Sequence, residues 1–190
     1  MSTFLFLFTL FVYGAEFRTH SLVANIRFDS TIQSLGGGAQ IQYRWHHSSL
    51  FAIDATGGVG YLSHLKDQPW NSAQASIFLC IGPSWHVSYS TTTNIYAGAH
   101  VLHLHHASVQ SWMSTPLANM IGDSAGGVLH RSGFGAKVGF DKILIELPSG
   151  NLLSWENEIT LQYIPSSSEY NIFGSIMTGI RLGFPSKTER

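Results

Sequence analysis

Five of the ten histidines cluster along the chain: His100, His103, His105, His106 and, further on, His130. Imidazole can ligate a metal, carry a proton near neutral pH, or bridge polar groups. His103 and His105 stand two apart. On a strand that spacing puts both rings on one face, where they offer two nitrogen ligands. No cysteine accompanies them and no carboxylate lies at ligand spacing. No metal ligand and no cofactor is therefore assigned. The imidazoles are read as hydrogen-bonding groups at a polar boundary, charged only in mildly acid medium.

Gly122–Gly127, GDSAGG, holds Ser124 in a run similar to serine-nucleophile motifs. Such a serine needs a strand-to-helix elbow with an oxyanion loop, or a His-Asp pair on a double barrel. The sequence supplies neither, and Gly, Asp and Ser are ordinary loop formers. No catalytic residue is assigned. A third set of ionisable residues is spread over the chain and nearly balanced: Arg27, Arg44, Lys137 and Arg181 against Asp54, Glu156 and Glu158. Interior charges are costly unless paired, so this balance suits an enclosed polar network.

The elements that position these groups follow from a period of two. In Gly38–His46, Ala39, Ile41, Tyr43 and Trp45 share one parity; Gly38, Gln40, Gln42, Arg44 and His46 share the other. A strand sends successive side chains to opposite faces. Eight such stretches are expected, near 17–29, 36–46, 50–62, 73–89, 94–105, 131–147, 153–164 and 171–184. Their linkers alternate short and long, as in an all-β, eight-stranded antiparallel up-and-down barrel. The longest linker is 106–130. Between Phe140 and Ile143 the parity slips, so strand 6 either carries a bulge or stops near Asp141.

Composition then decides which face is wet. Charged residues make up 11% of the 190, well below the roughly 25% usual in soluble domains. The polar parity is mostly Gly, Ser, Thr, Gln and Asn, which suits a narrow lumen better than a water-facing surface. Aromatics on the apolar parity fall at two levels. Trp45, Phe51, Trp85, Trp155 and Phe184 lie near the tight-turn end; Tyr61 and Tyr163 lie, with Phe28, near the other. Two membrane–water interfaces select such belts. Most segments exceed the ~9–11 residues a tilted strand needs to cross hydrocarbon. The expected fold is a transmembrane β-barrel. A secreted lipocalin-like binder, with its apolar face turned inward, is the second alternative.

Net charge is −1, which leaves no nucleic-acid footprint, and Cys80 is the single cysteine, so no intrachain disulfide can form. The opening MSTFLFLFTLFVYG reads as a cleavable signal peptide with an apolar core at Phe4–Val12, although no Lys or Arg precedes that core. The expected division is signal peptide 1–15, barrel 16–184 and a short polar tail 185–190.

Three motifs carry a resemblance. GIRLGF, Gly179–Phe184, fits Gly-x-x-apolar-x-aromatic; Gly82-Pro83 precedes NIYAGAHV, Asn94–Val101; and SGFGAKVGF spans Ser132–Phe140. Together they resemble the small eight-stranded bacterial outer-membrane barrels of the Ail/OmpX type, within the OmpA-like transmembrane barrels. The resemblance covers strands 4 to 8. It implies residence in the outer membrane among lipids and lipopolysaccharide, delivery to the barrel-assembly machinery through Gly179–Phe184, and a structural or adhesive role exerted by outer loops. Segment 106–130 is the candidate surface for a host or other ligand, and the histidines at its ends would bond lipid headgroups. Three features depart from the pattern: PSKTER follows Phe184, Met177 stands where a polar residue is usual, and Pro83 calls for a bulge.

Fold analogy also raises lipid A acyl hydrolases and transferases as an alternative. The deacylase type has His-x-Ser on strand 7, where this chain has Gln162 and Ile164. The palmitoyltransferase type needs His, Asp and Ser at the outer rim, for which His64, Asp67 and Ser72 match in type but not in spacing. The reading is non-enzymatic. Eight strands leave an interior that side chains fill, so the lumen is expected to be plugged rather than a general porin.

Overall fold

The computed structural model describes residues 20–31, 34–64, 73–121, 128–165 and 171–184. The eight strands are β1 (His20–Ser30), β2 (Ser34–His46), β3 (Phe51–His64), β4 (Gln74–Ser88), β5 (Thr93–Ser108), β6 (Leu129–Glu146), β7 (Leu152–Tyr163) and β8 (Ile172–Phe184). Each pairs antiparallel with its neighbours in order, and β8 returns to β1, giving a closed barrel. The seam runs from His20 opposite Phe184 to Ser30 opposite Gly174. Closure leaves no row of unpaired N–H and C=O groups, the condition for a sheet surrounded by hydrocarbon.

Burial follows the alternation. In β1, Ser21, Val23, Asn25, Arg27 and Asp29 are buried while Leu22, Ala24, Ile26 and Phe28 are exposed. The same inversion holds along β7, where Ser154, Glu156, Glu158, Thr160 and Gln162 are buried and Trp155, Ile159, Leu161 and Tyr163 exposed. The barrel is polar inside and apolar outside, the reverse of a lipocalin.

β6 runs through the parity slip. Its register against β7 shifts between Ile143 and Ile145, so the bulge carries the strand on to Glu146. At Pro83 the outcome differs from expectation. β4 and β5 pair in one register above and below it, Ile81 with Val101 and Ser84 with Gly98, and β3 pairs straight through it. No extra residue is inserted. The missing proline N–H interrupts the β4–β5 ladder over Gly82 and Pro83, and Gly82 permits the gap: a Cβ there would meet the backbone of Ala99 and His100.

Within the linker 106–130, residues 106–121 form regular structure that the sequence pattern does not show. β5 extends to Ser108, and two short helices follow, α1 (Val109–Ser114) and α2 (Pro116–Ile121). Ser108 caps α1 by accepting from the Ser111 N–H at 3.2 Å, and Pro116 opens α2 where a missing N–H costs nothing. Trp112 Nε1 donates to the Ala75 carbonyl of β4 at 2.9 Å, and Asn119 Nδ2 donates to Ser111 Oγ at 2.9 Å, which ties the helices to the rim and to each other. The leader 1–15, the tail 185–190, the GDSAGG run with Ser124, and Asp67 and Ser72 lie outside the described residues.

Candidate functional site

The lumen is built from one inward residue in two on every strand. Arg44 and Asp54 are ladder partners on β2 and β3, and Arg44 Nε donates to Asp54 Oδ1 at 2.6 Å. From β6, Lys137 Nζ reaches Asp54 Oδ2 at 2.6 Å and Glu158 Oε2 at 3.5 Å. Arg44 Nη1 lies 3.5 Å from Glu156 Oε2. Asp141 stands directly opposite Glu156 on β6 and β7, a repulsive placement. Arg181 of β8 resolves it by donating from Nη1 to Asp141 Oδ2 and from Nε to Glu156 Oε2, each at 2.8 Å.

Tyr96 joins these charges. Its ring lies 4.2 Å under the Arg44 guanidinium, and its hydroxyl sits 2.9 Å from Glu156 Oε1 and 3.0 Å from Glu158 Oε2. The arrangement joins charges from β2, β3, β6, β7 and β8 with both Arg44 and Glu156 at 0% exposure. Arg27 is not part of it. It forms a separate outer group with Asp29, at 2.8 Å from Nε, and with Ser175, under the face of Phe78.

Tyr96, Asp29 and Asp141 belong to the lumen and were not read from the sequence. Tyr96 shares parity with Asn94 and Gly98, which was the available signal. A further feature broke the expected pattern outright. Toward the long-loop end the inward positions become apolar, and Leu62, Phe78, Leu102, Leu104, Ile164 and Phe173 pack into one buried cluster. The lumen therefore has a charged lower storey and, above it, an apolar cluster bordered by the Arg27–Asp29 pair. A cavity of about 30 Å³ lies within the upper cluster beside Arg27 and Asp29, and one of about 20 Å³ lies below it beside Asp54 and Lys137, each room for a water or so.

Aromatic residues stand on the outer surface. Phe51 packs edge-on to Trp85, its ladder partner, and Phe140 edge-on to Trp155. Trp45, Trp85, Trp155, Tyr61 and Tyr163 are all exposed, and Phe51 and Phe184 partly so. Trp155 Nε1 donates to Thr178 Oγ1 at 2.8 Å, so the indole is anchored on the sheet face. At the far level Phe134 meets Tyr163, with ring centres 5.4 Å apart. Between the two levels the exterior is aliphatic, with Ile26, Leu79, Ile159 and Ile176 each more than half exposed. Gln162, at the strand-7 position compared with a deacylase, points into the lumen and pairs with His100 Nε2 at 3.2 Å.

The histidines divide between the two faces. His100 and His106 are buried in the lumen. His103 and His105 face outward, and His130 stands directly opposite His105 on β6. One ligand nitrogen from each of the three lies within 4.8 Å of the others.

No family model matches the chain, and no curated protein does. Solved structures do. Neisserial surface protein A superposes with a TM-score of 0.59 at 11% identity, over 87% of this chain and 97% of that one. OprG of Pseudomonas aeruginosa gives 0.52 at 11% identity, over 91% and 99%. The N-terminal barrel of OprF from the same organism gives 0.50 at 10%, over 86% and 97%. The chain has the fold of the small eight-stranded outer-membrane barrels.

Proposed function

We propose that this protein is an integral bacterial outer-membrane barrel with a plugged lumen, acting structurally or adhesively through its outer rim. One observation carries the proposal: a closed sheet buries its charges and exposes its aliphatic residues. In water the exposed aliphatic face would cost free energy, whereas against hydrocarbon it is favourable, and the enclosed charges are paired in either setting. The plug follows from the paired ions below and the apolar cluster above. Two small cavities among the described residues would each hold a water or so.

The leader 1–15 would take the chain out of the cytoplasm, and Gly179–Phe184, ending β8 beside β1, would be read by the barrel-assembly machinery. Surface contacts fall to the long-loop end, where α1 and α2 form the largest described projection within 106–130. Outer-membrane lipids and lipopolysaccharide would contact the aliphatic belt and its two aromatic borders.

Two measurements test this. The mature protein should fractionate with outer membranes and migrate faster unboiled than boiled in detergent gels. Recovery as a monomer in detergent-free buffer would overturn the membrane assignment. Planar bilayers should show no steady ion conductance; a stable open channel would overturn the plug while leaving the membrane assignment standing.

A further inference from the structure

We propose that His103, His105 and His130 form a divalent transition-metal site on the outer rim of the barrel, selective for zinc- or copper-like cations. The ladder assembles it. His105 faces His130 directly across β5 and β6, and His103 lies two residues along on the same face, opposite Ser132. Ring centres are 4.4 Å apart for His105 and His130, 5.1 Å for His103 and His105, and 5.8 Å for His103 and His130.

The hydrogen bonds fix which nitrogens are offered. His105 Nδ1 lies 3.1 Å from the Met120 carbonyl of α2, and a carbonyl only accepts, so Nδ1 carries the proton and Nε2 presents a lone pair. That Nε2 lies 3.2 Å from Nε2 of His103. Two imidazole nitrogens approach so closely either when one N–H donates to the other, here His103 Nε2–H to His105 Nε2, or when both bind one metal. With a proton there, His103 Nδ1 accepts from Ser132 Oγ at 3.2 Å. With a metal, the proton leaves Nε2, Nδ1 becomes the donor, and the serine hydroxyl turns to accept. Both rings are thus backed by an outer partner on the nitrogen away from the site, the arrangement that orients histidine ligands.

Chemistry narrows the cation. Three neutral imidazoles without carboxylate favour zinc, copper or nickel over magnesium or calcium. Tetrahedral zinc at about 2.0–2.1 Å from each nitrogen needs nitrogens about 3.4 Å apart. One pair already lies at 3.2 Å, and the widest separation is within 4.8 Å, so a small ring rotation of exposed side chains completes the set. The fourth position is open on the outer face. Just below, Val101 pairs with Phe134 at the upper aromatic level, so the triad stands at the border of the apolar belt, where aqueous ions have access.

The probe is Zn²⁺ itself, titrated calorimetrically into the mature, untagged barrel in zwitterionic detergent, with unboiled gel mobility reporting the fold. Wild type should bind one equivalent. His103→Ala, His105→Ala and His130→Ala should each weaken binding at least tenfold, whereas His47→Ala should leave it unchanged. Cu²⁺ on wild type should give an electron paramagnetic resonance spectrum with nitrogen couplings that each triad variant reduces. The site is disproved by absence of saturable binding to the folded protein, or by binding that survives loss of His103 or His130. Binding that appears only when phosphorylated lipids are added also overturns it, because lipid phosphate would then be the ligand of the histidines.

Discussion

Glu156 accepts from Arg181 and Tyr96 and lies within reach of Arg44, so its carboxylate joins four strands at one point inside the barrel. Removing one partner of such a buried set strands the others without solvent. Arg44→Ala should cost about 3–5 kcal/mol, read as a lower urea midpoint for the folded barrel in detergent. Arg44→Lys should recover part of that loss, because charge survives while the second contact does not. Gly139 tests the packing around the same point. A Cβ there would lie 2.5 Å from both the Asn157 carbonyl oxygen and Tyr96 Oη, so Gly139→Ala must shift the β7 backbone as well as push the ring off its carboxylates. Its expected cost is about 1–3 kcal/mol by the same unfolding measurement. Arg44, Asp54 and Lys137 were legible because each sits on a locally unbroken polar parity. Asp141 was not, because the parity slips beside it. Tyr96 was hidden by its type: an aromatic residue reads as outward until its parity is counted.

At the scale of strands, period-two alternation gave all eight segments to within a few residues, since the membrane and the lumen each impose their preference at every second position. The sequence could not show where that preference relaxes. Leu62, Phe78, Leu102 and Leu104 are inward yet apolar, and without register nothing says that they meet. Cross-strand neighbours are invisible for the same reason: His103 and His105 announce themselves by spacing, but His130 joins them only through the β5–β6 ladder. The helices α1 and α2, six residues each, are too short for a clear 3.6-residue period. The aliphatic belt makes a sharp demand on position. Ile159→Arg, between Trp155 and Tyr163, should cost about 2–4 kcal/mol and reduce the heat-shifted band, whereas Thr160→Ser in the lumen should leave that band unchanged. If the arginine variant folds as well as wild type, that strand is not facing hydrocarbon.

Taken whole, the molecule is a cylinder whose two ends differ. Turns at residues 47–50, 89–92 and 147–151 close one end, and α1 and α2 follow β5 at the other. Tryptophans follow this polarity, so fluorescence quenching by lipids brominated at different depths should place Trp45, Trp85 and Trp155 at a shallow level on the tight-turn side. Quenching strongest at the bilayer centre would contradict the belt. The seam adds a different consequence. His20 and Phe184 are partners at the tight-turn end, so the described chain starts and finishes at the same place. A short bridge could join them and a cut in an outer connection could supply new ends, giving a circularly permuted cylinder with every rung of its ladder intact. Such a permutant would refold in detergent, yet in cells it would arrive with GIRLGF buried mid-chain, separating what the sheet needs to exist from what the cell needs to recognise it.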